Sequence, residues 1–114
     1  LAVTAIVRYL GDNHNPLTHL GYMYFFEKFT VMITHIVAPI LEESGYPNDR
    51  LSFMKLHAEE DERHSEMLSE IILECLTRYP KAEKYIQYGF DCFRETYPHS
   101  LWDYSLKRAL RESA

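Results

Sequence analysis

His57, Asp61 and His64 place two imidazoles and a carboxylate at successive helical turns. The spacing His-x3-Asp-x2-His is an i, i+4, i+7 series, which points all three side chains the same way on a helix. Imidazole nitrogen with carboxylate oxygen suits iron or manganese better than a soft ion, and such a row can hold one or two divalent ions. With Phe53 as origin and ~100° per residue, His57, Asp61 and His64 fall at roughly 40°, 80° and 20°. That is inside the apolar stripe of Phe53, Met67, Leu68, Ile71 and Cys75, while Lys55, Glu59, Glu62, Glu66, Ser69 and Glu70 take the opposite side. Unpaired polar groups on a buried face would cost on the order of several kcal/mol, so pairing or a metal is expected there. Two other readings stay open: a solvated charged patch that interrupts the stripe, or buried histidines satisfied by hydroxyls and backbone.

A second carboxylate belongs to the same chemistry. Glu27 shares a helical face with Leu20, Met23, Tyr24, Val31 and Thr34. If a short turn joins its helix to the one carrying His57–His64, the two are antiparallel neighbours. Counting outward from the turn then brings Glu27 level with the His57–His64 stretch. The competing reading is a salt bridge from Glu27 to Arg or Lys. His35 points about 80° away from Glu27 and reads as core or as support for a ligand. His14 and His19 read as surface, and Tyr22, Tyr24 and Trp102 as packing aromatics.

The elements that must position these residues are punctuated by turn chemistry. Leu1 to Leu10 reads as a helix, opening without a cap, which suggests part of something longer. Gly11-Asp12-Asn13-His14-Asn15-Pro16 is a turn, with Asn15 as N-cap and Pro16 in the first helical position. A helix over about 17–43 follows, weakened near its end by Pro39, and Gly45 is its left-handed stop. The next helix covers about 49–78 and ends at Tyr79-Pro80. A further one covers about 81–96, with Tyr97-Pro98 bending or interrupting it before a last segment to about residue 112. No stretch alternates with period two for the length of a strand, so the class is all-α, an antiparallel helical bundle of a single domain spanning residues 1–114.

The 114 residues are 46% hydrophobic, enough for a core, and the formal charge of -5 argues against nucleic acid, which needs a basic stripe. Cys75 and Cys92 lie in apolar surroundings without a CxxC spacing and read as free thiols of a reducing compartment. Neither a signal peptide nor a run of about 18 apolar residues is apparent, so the expectation is a cytoplasmic protein with no membrane partner.

Gly21-Tyr22-Met23-Tyr24-Phe25-Phe26-Glu27, followed about thirty residues later by His57-x3-Asp61-x2-His64, resembles the heme-oxygenase-like diiron oxidases and oxygenases. The resemblance covers roughly residues 15–78. It implies a partial heme-oxygenase-like fold with Glu27, His57, Asp61 and His64 as ligands of non-heme iron, two ions in the complete site. It also implies an enzyme that uses O2 to oxidise a small organic substrate. Members take another Glu and His from an earlier core helix, and Leu1–Gly11 supplies neither. The expectation is that these residues lie on sequence absent here or come from another chain, unless the site is incomplete. Apolar faces lacking the front half of that fold would favour a homodimer. The alternatives are a ferritin-like metal protein, with Asp61-x-x-His64 standing in for Glu-x-x-His, or a non-catalytic helical module of heme oxygenase or thiaminase II type.

Overall fold

The computed structural model describes residue 5, residues 8–9 and residues 15–114. The expectations for the segment 1–10 as a whole, for the turn at 11–14 and for His14 lie outside the described residues. Among those described the chain is helical throughout, with no strand: α1 is Pro16–Glu43, α2 is Asn48–Arg78 and α3 is Ala82–Arg94. A π-helical segment, Glu95–Trp102, then leads into α4, Asp103–Ser113.

Each boundary has a local cause. The Leu17 backbone N–H donates to Asn15 Oδ1 at 2.9 Å, which satisfies one of the orphan donors at the start of α1, and Pro16 has no N–H to lose there. At the other end Gly45 adopts φ 77°, the Gly45 N–H donates to Glu42 O at 3.0 Å and the Tyr46 N–H to Leu41 O at 2.9 Å. Those two bonds around a left-handed glycine are the Schellman motif, and Pro47 then prevents continuation. Pro39 lies inside α1 without ending it. Pro98 also fails to interrupt its helix. The chain widens into π turns around it, where the Ser100 hydroxyl donates to Glu95 O at 2.6 Å. Proline removes an i→i−4 bond and crowds that carbonyl, and a wider turn relieves both.

Two compact units divide the chain: Leu1–Met23 with Cys75–Ala114, and Tyr24–Glu74. In the first, Thr18, Tyr22, Ala82, Ile86 and Phe93 are buried. A methyl group on Gly21 would strike the Ile86 carbonyl and one on Gly89 the Thr18 carbonyl, so here the two backbones meet without side chains between them. Tyr22 packs edge-on to Phe93 with ring centres 5.7 Å apart, and its hydroxyl lies 3.1 Å from Thr96 Oγ1. Burial pushes the Tyr22 phenol above its ordinary value. Cys75 and Cys92 are free and half-buried, and burial likewise raises the Cys92 thiol.

The second unit is an antiparallel hairpin made of the later part of α1 and most of α2. Glu42 pairs with Lys55, Lys28 with Glu62 at 3.8 Å, and Glu27 with His64 at 3.4 Å. Val31, Thr34 and Ala38 are its buried positions on α1, and Leu51, Ala58 and Ser65, every seventh residue, are those on α2. This corrects the expected core stripe. Phe53 is 65% exposed, Met67 54% and Ile71 42%. Small residues on the line facing α1 let the helices approach closely, which turns the larger apolar side chains to the flank.

α1 is also long and apolar enough, by length and composition, to cross a membrane, contrary to the expectation that no such run exists. The helix nevertheless carries Glu27 and Lys28, which pair with His64 and Glu62 of α2.

Candidate metal centre

Glu27 occupies the α1 face that also carries the buried Val31, Thr34 and Ala38. Across from it α2 presents Asp61 and, three residues on, His64. One ligand atom from each of Glu27, Asp61 and His64 lies within 4.8 Å of the others. His64 Nδ1 stands between the two carboxylates, 3.4 Å from Glu27 Oε2 and 4.0 Å from Asp61 Oδ1. The side chains of Glu27 and Asp61 are 16% and 19% exposed, and His64 is half-exposed.

The electrostatics are those of a site short of positive charge. Glu27 Oε2 is shut off from solvent and makes no hydrogen bond, the His64 contact being too poorly aligned to count as one. Burial pushes the Glu27 carboxyl above its ordinary value, the neighbouring Asp61 adds to the rise, and His64 opposes it. The basic side chains alongside go elsewhere: Lys28 to Glu62, Arg63 to Glu60 and Lys55 to Glu42. A buried carboxylate with an unused lone pair, a second carboxylate and an imidazole form a donor set that a divalent transition ion fits. Iron is therefore compatible with the residues present.

His57 is not part of this cluster. It is exposed, its Nδ1 lies 2.9 Å from Phe53 O, and its ring lies tilted against that of Phe53 with centres 4.0 Å apart. Nδ1 therefore donates to that carbonyl. His35 is exposed instead of lying in the core, and His19 is half-buried instead of on the surface. His35 helps line a cleft of about 380 Å³ with Thr34, Ala38, Lys55, Ala58 and Glu59. Sequence reasoning took the charged side of α2 for a solvated face, and Lys55, Glu59 and Glu66 are indeed exposed. The signal it missed was the alanine pair, Ala38 and Ala58, which helps line this cleft.

A family model described as "iron-containing redox enzyme" matches residues 1–97. The chain belongs to this family. Its fold is thus all-α and heme-oxygenase-like in part, in keeping with the class that the Gly21–Glu27 and His57–His64 motifs resemble. The family is iron-containing, and its match covers both helices that carry Glu27, Asp61 and His64. No curated protein and no solved structure matches the chain significantly.

Proposed function

We propose that the chain is the metal-binding part of a non-heme iron oxidase or oxygenase, with Glu27, Asp61 and His64 holding the ion. The observation that carries this reading is the buried, unbonded Oε2 of Glu27 within 4.8 Å of an Asp61 oxygen and a His64 nitrogen. Iron bound there supplies the means to activate O2 for oxidation of a small organic substrate.

The protein's own groups have separable parts in this. Glu27 and Asp61 provide the negative charge that a divalent cation neutralises, and without a cation Glu27 takes up a proton more readily than an exposed carboxyl does. His64 bridges the two carboxylates and keeps them from repelling each other unopposed. The ion pairs of Lys28 with Glu62 and Arg63 with Glu60 keep those cations off the ligands, leaving the charge of Glu27 and Asp61 for the metal. His57, with Nε2 unengaged, is the donor placed to serve a second ion one turn away along α2. In this reading α1 is a bundle helix of a cytoplasmic protein, because a carboxylate committed to a metal shared with a charged partner helix has no place facing lipid.

The test is metal analysis of protein produced with iron supplied. Iron is expected in the wild type and most of it should be lost in Glu27→Ala, Asp61→Ala and His64→Ala. His57→Ala should lose less. Full retention of iron in the Asp61→Ala, His64→Ala double variant would reject the site.

A further inference from the structure

We propose that the unit formed by Leu1–Met23 and Cys75–Ala114 holds a separate ligand site, a cavity that takes a small aromatic carboxylate. The cavity measures about 580 Å³ and lies between the start of α1 and the turn that leads into α3. Small-molecule sites have this size, and they are mostly apolar with a few placed polar groups. Its lining includes none of Glu27, Asp61 and His64, so the inference does not rest on the metal reading. Both walls stand on closed turns. On the α1 side Asn15 accepts the Leu17 N–H at its side-chain oxygen and the Thr18 N–H at its carbonyl, each at 2.9 Å. On the α3 side the Tyr79 N–H donates to Cys75 O at 2.9 Å and the Ala82 N–H to Tyr79 O at 3.0 Å. Pro16 and Pro80 fix the backbone φ within each wall. A cavity held this way loses little freedom when it is filled.

The side chains around the cavity select the ligand. The rings of Tyr79 and Tyr85, with Pro16, Leu17 and Pro80, make an apolar lining suited to a flat hydrocarbon body. The polar side-chain groups on that lining all can donate: the Lys81 ammonium, the phenols of Tyr79 and Tyr85, and the Asn15 carboxamide NH2, its oxygen being taken by Leu17. Lys81 is the one charged residue among the described residues that line the cavity. Among the described residues it makes no ion pair, and neither phenol has a hydrogen-bond partner. One cation and three neutral donors without an acid match an anion whose oxygens accept, carried on an aromatic ring. A cationic or purely hydrocarbon ligand leaves those donors unused. The cleft at Thr34 and His35 has the opposite character, because Glu42, Glu59 and Glu62 line it against Lys55 alone.

The experiment is a fluorescence titration of the whole chain with 1-naphthoate, an aromatic carboxylate that reports its own binding. Circular dichroism on each variant verifies that its helices are intact. Saturable binding is expected, and benzoate should displace the probe. 1-Naphthalenemethanol, of the same shape without the charge, should bind at least about tenfold more weakly, the scale of a hydrogen bond to a charged group. Lys81→Gln, a change at an exposed position, should weaken naphthoate by about the same factor. Tyr79→Ser, also exposed, removes a ring from the lining and should weaken naphthoate and the alcohol alike. Lys84→Gln, exposed on α3 but outside the lining, should leave the affinity unchanged. Equal affinity for the alcohol and the carboxylate would overturn the choice of an anion. Naphthoate affinity unaltered in Lys81→Gln, or lost equally in Lys84→Gln, would overturn the site, as would the absence of saturable binding to the wild type.

Discussion

Adding Fe(II) to the metal-free protein should raise its melting temperature, and the size of the rise follows from the site. Glu27 Oε2 is buried with no hydrogen bond beside a second carboxylate, a polar defect that a bound ion would remove. An ion that binds only the folded state at a hundred times its dissociation constant contributes about 2.7 kcal/mol. At about 2.1 cal/mol/K of unfolding entropy per residue, a 114-residue chain converts that into a rise of roughly 11 °C. Asp61→Ala leaves only Glu27 and His64 in the cluster, and its gain should fall to a degree or so, about a tenth of the wild-type rise. Glu62→Ala, one position along α2, frees Lys28 but removes no ligand, and should keep most of the gain. The gain should also shrink in acid, where protons compete with the metal for its ligands. The assay is helical circular dichroism against temperature under nitrogen, with and without Fe(II). Equal responses of Asp61→Ala and Glu62→Ala would refute the assignment of the ligand face.

The metal-free protein should respond to pH through Glu27 in a definite direction. Its folded-state carboxyl is raised, so the destabilisation is fully present above that value and is relieved as pH falls through it; Glu27→Gln should raise the metal-free melting temperature at neutral pH and flatten this dependence, and a lower one would contradict the sign. Gly21→Ala should destabilise by about 1–3 kcal/mol through overpacking against the Ile86 carbonyl, although alanine is the better helix former by about 1 kcal/mol; a stabilised variant in chemical denaturation would show that the helices do not touch there. Gly45→Ala places a side chain in the left-handed region, and a loss of about 1–2 kcal/mol in the same assay is expected.

Much of this architecture was legible in the sequence because its punctuation is chemical. Asn15-Pro16, Gly45 and Tyr79-Pro80 each remove or supply particular backbone bonds, and the helices end where those bonds require. Counting out from the turn was enough to set Glu27 opposite Asp61 and His64. What periodicity misplaced was the face of α2 that meets α1. A hydrophobic stripe weights Phe53, Met67 and Ile71 over Ala58 and Ser65, yet close helix packing selects small residues. His57 was grouped with Asp61 and His64 by spacing alone, and only side-chain geometry reveals its bond to Phe53 O. Pro98 was readable as a disturbance, but nothing in Tyr97-Pro98 announces that the helix widens instead of breaking.

That widened turn sets a phase boundary in the chain. Each π turn accommodates an extra residue relative to an α turn, so side-chain directions counted from Ala82 through Arg94 no longer hold beyond Trp102. The facing of Leu106 and Leu110 on α4 has to be counted afresh from Asp103, and a heptad frame carried across Glu95 would aim them wrongly. The family match stops at residue 97, inside this segment. The shared pattern thus reaches only into the segment where the α-helical repeat is broken.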